Sequence, residues 1–288
     1  MTRTKLRFLG AGGAFSQRYG TTCSLITLPS GEHWLLDCGR QAPDQLREAG
    51  ITWHDISGQL VTHTHGDHVF GMEEFALRRF YESRNSVAAI SHSGPRPRLV
   101  AHSAVRAELW EVLGPSLRYL PQDGRAHSGT LSHYFDVMEA TRTEPPNNHA
   151  WPRAESFDLS GWSVTTRETV HVRGKPTCAL EISTGDTGHS AWWSGDSTVD
   201  AKRLLMLEPN VSIFFHDCTF VETEGQVHGA FADLLALPQS LREKIVLMHH
   251  EDDVEQRWVQ ISEAGFRLAL PGHVYDLNTG EQIEASTR

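Results

Sequence analysis

The segment Thr62-His63-Thr64-His65-Gly66-Asp67-His68 constrains this chain more than any other. Four side chains able to bind a metal occupy six consecutive positions, directly after an apolar run (Gln59 to Thr62) that reads as a short strand. Side chains alternate along a strand, so His63 and His65 share one face. The glycine at 66 permits a sharp turn that brings Asp67 and His68 toward the same point. One loop can therefore feed two adjacent metals. Imidazole and carboxylate suit Zn²⁺, and ligand type alone leaves Mn²⁺ or Fe open.

Composition agrees with metal chemistry and narrows the rest. Histidine is the outlier, at 17 of 288 residues. The cysteines, Cys23, Cys38, Cys178 and Cys218, have no CxxC spacing, which argues for buried thiols and against a disulfide framework or a thiolate zinc knot. A net charge of −10 disfavours a general grip on long nucleic acid or on an anionic membrane. Runs such as Ile213-Phe214-Phe215 fall far short of the roughly 18 to 20 apolar residues of a membrane span. The opening MTRTKLRFLGAGGAF lacks the continuous apolar core of a secretory signal, so a cytoplasmic location is expected.

Periodicity reads as α/β, or α+β in some schemes. Strands are expected at Lys5–Leu9, Cys23–Leu28 and Trp34–Asp37, a short helix at Pro43–Ala49, and one helix over Val69–Ser83. The stretch 91–153 holds 7 of the 13 prolines and reads as an elaborated insertion dominated by irregular backbone, with a helix at Ala104–Leu113 and a strand at Leu131–Glu139. Strands are then expected at Trp162–Thr166, Thr177–Ser183, Ser190–Ser194, Val211–Phe215 and Lys244–Met248, with helices at Phe231–Leu237 and Val254–Ala264. The whole chain, 1–288, is read as a single domain with that insertion. The glycines of Gly10-Ala11-Gly12-Gly13 lack the third glycine and following helix of a dinucleotide-binding fingerprint.

The H-x-H-x-D-H loop resembles the signature of the metallo-β-lactamase superfamily. Phe8-Leu9-Gly10-Ala11-Gly12-Gly13 and Trp34-Leu35-Leu36-Asp37-Cys38-Gly39 resemble the opening turn and the DCG strand end of its ribonuclease Z-like branch. His171, Asp196 in WWSGDST, and His249 after KIVLM resemble the later ligands of that branch. The resemblance implies an αββα sandwich with a dimetal site at the shared edge of its sheets. It implies one metal on His63, His65 and His171, a second on Asp67, His68 and His249, and Asp196 bridging them. His149 is the rival of His171, and His250 that of His249; strand context favours the first of each pair. Two such cations activate water for hydrolysis, with Asp67 in the catalytic group.

His228, 11 residues after Asp217 and just before a helix, resembles the branch's general acid with its orienting carboxylate, although Asp replaces the usual Glu and Gly229 the usual Ser or Thr. Imidazolium beside a dimetal centre suits a phosphodiester. The RNA-processing members carry a long exosite arm between the third and fourth motifs, whereas here 24 residues separate His171 from Asp196. A small phosphodiester is therefore the expected partner, and the chain resembles compact phosphodiesterases of this branch, including anti-Pycsar proteins that open cyclic pyrimidine mononucleotides. A transfer-RNA 3′-end endoribonuclease and a lactonase or thioesterase on the same fold are the alternatives. Arg96, Arg98, Trp110, Trp151 and Arg153 in the insertion are expected to form a lid or a homodimer contact.

Overall fold

The computed structural model describes residues 3–82, 95–122, 125–144, 153–185, 188–221 and 223–284. Its strands are β1 (Lys5–Gly10), β2 (Cys23–Thr27), β3 (His33–Leu36), β4 (Ile56–Val61), β5 (Arg98–Ala101), β6 (Tyr119–Gln122), β7 (Arg125–Ser128), β8 (Asp136–Val137) and β9 (Arg142–Glu144). They continue as β10 (Ala154–Asp158), β11 (Ser163–Glu168), β12 (Cys178–Ser183), β13 (Ser190–Trp193), β14 (Val211–Asp217), β15 (Ile245–Met248), β16 (Arg267–Leu268), β17 (Val274–Asp276) and β18 (Gln282–Glu284). The α-helices are α1 (Ala42–Glu48), α2 (Gly66–Val69), α3 (Met72–Glu82), α4 (Ser103–Leu117), α5 (Leu131–Tyr134), α6 (Ala201–Leu207), α7 (Phe231–Leu235), α8 (Gln239–Arg242) and α9 (Trp258–Glu263).

Two eight-stranded sheets form, in the orders β18-β17-β1-β2-β3-β4-β5-β8 and β16-β15-β14-β13-β12-β11-β10-β9. The central strands of each sheet are apolar on both faces, and the period of two along a strand divides their side chains between layers. Leu6, Phe8, Ile26, Trp34 and Leu36 of the first sheet meet Ile182, Trp193, Phe215, Val246 and Met248 of the second. The alternate residues Leu25 and Leu35 face Leu46, Phe75 and Leu109 on helices α1, α3 and α4. On the far side Trp192, Phe214 and Leu247 face Leu204, Leu234 and Ile261 on α6, α7 and α9. The result is the expected αββα sandwich. Phe8 anchors its middle, with ring centroids 5.6 Å from Trp193 and 5.5 Å from Phe215.

Three local expectations are corrected. Val69–Ser83 is not one helix, because the chain breaks between α2 and α3 where Gly71 N–H donates to Cys38 O at 2.9 Å. Leu131–Glu139 is not a strand. Thr130 caps a short helix through its N–H to His133 Nδ1 at 2.9 Å, and only the two-residue β8 follows. The described part of 91–153 is largely regular, and β5 is an interior strand of the first sheet. Its prolines sit at element borders, as Pro97 does directly before β5, or on the β6-β7 hairpin and in the last turns of α4, as Pro121 and Pro115 do. Four of the residues expected to form a lid or a homodimer contact have partners within the chain. Arg96 donates to Ser132 O, Arg98 pairs with Glu32 at 2.6 Å, Trp110 packs on the core and Arg153 pairs with Glu155 at 3.2 Å. Trp151 and His149 lie outside the described residues.

Strands β3, β4, β5 and β8 run parallel, as do β13, β14, β15 and β16. Parallel strands deliver their carboxyl ends to one edge, which is where ligand-bearing loops of such sheets gather. No helix among the described residues is long and apolar enough to cross a membrane.

Candidate metal centre

Every candidate ligand sits just beyond a strand or in a short loop between strands. His63 to His68 leave the end of β4, Asp196 follows β13, Asp217 ends β14 and His249 follows β15, while His171 lies between β11 and β12. Backbone bonds stitch these ends together across the sandwich. Cys178 N–H donates to Thr62 O at 3.0 Å, and His249 N–H donates to Ala11 O at 2.7 Å. Cys38 N–H reaches His68 O at 2.7 Å, and a Cβ at Gly39 would lie 1.8 Å from Asp67 O, so the DCG strand end must carry glycine for the metal loop to pass. Gly66 serves otherwise than expected. It opens the short helix α2 without a positive φ, and a Cβ there would strike the Phe70 ring at 2.6 Å. His249 is one of few non-glycine residues in left-handed backbone, at φ 59°. That bend separates two adjacent imidazoles, and His250 Nε2 bonds Ala269 O at 2.9 Å instead of entering the centre.

The side chains form two clusters that share Asp196. In the first, His65 Nδ1 lies 3.0 Å from His63 Nε2 and 3.1 Å from His171 Nε2, with Asp196 Oδ2 3.8 Å from His63 and 3.9 Å from His171. In the second, His68 Nε2 is 3.2 Å from Asp67 Oδ2 and 3.2 Å from Asp196 Oδ1, and His249 Nε2 is 3.4 Å from each of Asp67 and Asp196. Three imidazole nitrogens crowded about one point cannot all share protons pairwise, but they make a donor set for a cation. A neighbouring set with two carboxylates fits a second cation, the Asp196 carboxylate spanning both. The residues present therefore fit two metal ions.

Outer partners fix the candidate ligand rings. Asp37 accepts from His68 Nδ1 at 2.8 Å and from Thr62 N–H and hydroxyl at 2.9 and 2.8 Å. Val227 O accepts from His171 Nδ1 at 2.9 Å. Such bonds select the tautomer that leaves the inward nitrogen free to ligate. Asp217 holds two rings, His228 Nδ1 at 2.7 Å and His249 Nδ1 at 3.4 Å, and accepts Ser197 N–H at 3.0 Å. Thr64, between the first two histidines, is bonded to Lys175 and Glu108, which pair with each other at 2.9 Å.

Electrostatics divides the histidines. Burial, reinforced by the neighbouring imidazoles, holds His63, His65 and His171 below the usual range, so their lone pairs are available at neutral pH. Burial opposes charge on His68 and His249 too, but Asp196 and its neighbouring carboxylates overcome it and raise both well above that range. At His228 burial is likewise outweighed, here by the bond and charge of Asp217, and its imidazolium is favoured.

Residues 4–273 match the family model of the anti-Pycsar protein Apyc1. The chain belongs to this family. It is 33% identical over 254 residues to the Apyc1 of Paenibacillus sp. (strain J14), covering 87% of this chain and 91% of that one. With the Apyc1 of Bacillus phage BSP38 it shares 29% identity over 283 residues, 95% of this chain and 98% of the relative. Among solved structures, the metallo-β-lactamase fold protein YhfI from Bacillus subtilis superposes with a TM-score of 0.67 at 16% identity, over 95% of this chain and 99% of that one. Human tRNase Z, short form, gives 0.63 at 18% identity, over 95% and 99%. These likenesses establish the metallo-β-lactamase fold.

Within this Apyc1-family chain the seven expected ligands, His63, His65, Asp67, His68, His171, Asp196 and His249, converge, and the pair Asp217–His228 adjoins them. Sequence reading assigned no role to Asp37, Glu108 or Lys175. The signal for Asp37 was present, because a carboxylate ending an apolar strand beside another strand that ends in ligands is placed to reach them. Nothing local marks Lys175 and Glu108, which meet only in the folded chain.

Proposed function

We propose that the chain is a dinuclear-metal-dependent phosphodiesterase acting on small phosphodiesters, cyclic mononucleotides among them. His63, His65 and His171 would hold one cation, Asp67, His68 and His249 the other, with Asp196 shared. The sets accept Zn²⁺, Mn²⁺ or Fe. Two cations there supply water activation and charge neutralisation at the phosphoryl group. The observation that carries the reading is the His228–Asp217 pair. With Nδ1 engaged at 2.7 Å by Asp217, the ring presents Nε2 as its remaining donor, and His228 lines an open cleft of about 330 Å³ beside His249. His228 protonates the leaving oxygen as its bond to phosphorus breaks, and Asp217 stabilises the ring's charge before transfer.

Membership in the Apyc1 family supports the same substrate class. The 24 residues between His171 and Asp196 contain β12 and β13, which leaves little chain for an RNA-gripping arm. Metal analysis of the purified protein, followed by turnover of bis-p-nitrophenyl phosphate, cyclic nucleotides, lactones and short RNAs, tests the reading. Phosphodiester cleavage that requires metal and His228 is the expected result. Lactone or ester turnover indifferent to His228→Ala would overturn it.

A further inference from the structure

Phe15 stands apart from the other phenylalanines of the sheet core. It is 83% exposed, on the loop that follows β1, and it lines the cleft shared with His228 and His249. A singly exposed aromatic is ordinary on a protein surface, so what distinguishes Phe15 is its place, in the same cleft as two imidazoles of the candidate centre.

The loop that carries it is held in place. Asp252 accepts from the Ser16 hydroxyl at 2.5 Å, Gln17 N–H at 2.9 Å and Arg18 N–H at 3.2 Å, and the Ser16 hydroxyl in turn accepts Tyr19 N–H at 3.1 Å. Arg40 donates to Ala14 O, and its guanidinium lies 5.8 Å from the Phe15 ring centroid. The ring is thus presented from a braced loop beside the candidate metals.

We infer that Phe15 is the platform on which the base of a nucleotide substrate stacks while its phosphate occupies the metal centre. The inference rests on the phosphodiesterase reading and deepens it to substrate recognition. A cleft of about 330 Å³ lies at the small end of the range for small-molecule sites, roughly 300–1,000 Å³. Glu251 and Asp252 line the same cleft, and their oxygens are taken up by Thr219, Phe220 N–H and the loop amides. A neutral base is accepted against such a wall, whereas a second phosphate is repelled. Stacking is sequence-tolerant because every base has a π-face, so Phe15 sets preference for a nucleotide over a plain phosphodiester without choosing the base.

The test compares wild type, Phe15→Ala and Phe15→Tyr on two substrates, a 3′,5′-cyclic mononucleotide and the ribose 3′,5′-cyclic phosphate that lacks a base. Binding of the corresponding nucleoside monophosphate is measured by calorimetry alongside. The expected result is that Phe15→Ala lowers the nucleotide-to-base-free ratio of kcat/KM about tenfold or more, mainly through KM, and weakens mononucleotide binding by a similar factor. Phe15→Tyr restores most of both. Equal loss on both substrates, an unchanged ratio, or a wild type that cleaves other phosphodiesters but binds no mononucleotide overturns the platform and leaves the phosphodiesterase reading intact. Conversely, Phe15-dependent mononucleotide binding without any phosphodiester cleavage keeps the platform and overturns that reading.

Discussion

Asp217 serves two imidazoles at once, orienting His228 at 2.7 Å and His249 at 3.4 Å, and substitution separates the uses. His228→Ala removes only the proton donor, so kcat is expected to fall about 10²- to 10⁴-fold while metal content by mass spectrometry stays at the wild-type level. Loss of metal in that variant would reassign His228 as a ligand. Asp217→Asn keeps the shape but removes the charge that raises His228. An opposite charge favours the protonated ring, so its removal lowers the pKa, and the alkaline limb of the pH–kcat/KM profile should move to lower pH. An unmoved limb would show that some other group titrates there. Asp196→Ala should abolish activity more completely than any single histidine change, because that carboxylate faces both clusters. Steady-state assays across the ligand series check this ordering, and comparable activity in Asp196→Ala would remove it from its bridging place.

At the scale of elements, the metal loop is held from behind as much as from within. Gly39→Ala would drive a Cβ to 1.8 Å from Asp67 O. Overpacking against backbone costs typically about 1–3 kcal/mol, and here the displaced atom belongs to the ligand loop. Both Tm and metal occupancy should therefore fall together, and a variant with wild-type values of both would show that the loop has slack. Asp37→Asn should weaken metal affinity by about 10- to 100-fold, read by chelator competition, since it loosens the His68 ring. The His63 to His68 ligands were legible because they fall within six positions, and His249 because it is the first polar residue after the apolar Ile245–Met248, whereas His171 and Asp196 were placed through the family resemblance. What was not legible depended on packing against distant chain. The break at Gly71 exists because Cys38 O comes close, the left-handed turn at His249 comes with its N–H on Ala11 O, and β5 pairs with β4 despite its proline-rich flanks. Periodicity along one segment carries no record of such partners, whereas a cluster like His63 to His68 carries its own.

For the whole molecule, charge and metal pull in opposite directions. Asp67, Asp196, Asp37 and Asp217 are all buried around the centre, in a chain of net charge −10. Cations that bind only the folded state stabilise it by linkage, so chelation should lower Tm and metal re-addition should restore it. A Tm indifferent to chelator would mean the carboxylates are balanced by the imidazoles alone. The same field bears on substrate. A long polyanion approaching the cleft meets Glu251, Asp252 and the negative surface, and each added phosphate adds repulsion, whereas a cyclic mononucleotide brings one phosphate, neutralised where the ligands converge. Cyclic mononucleotides are therefore expected to be cleaved with far higher kcat/KM than pre-tRNA. Salt supplies an independent check through its sign. Screening weakens the repulsion over roughly 8–10 Å at 0.1–0.15 M ionic strength. Any residual RNA cleavage should then rise with added salt, while turnover of the mononucleotide changes little. Efficient processing of pre-tRNA 3′ ends that falls as salt is raised, with small phosphodiesters ignored, would instead reveal a basic RNA-binding surface and overturn the small-substrate reading.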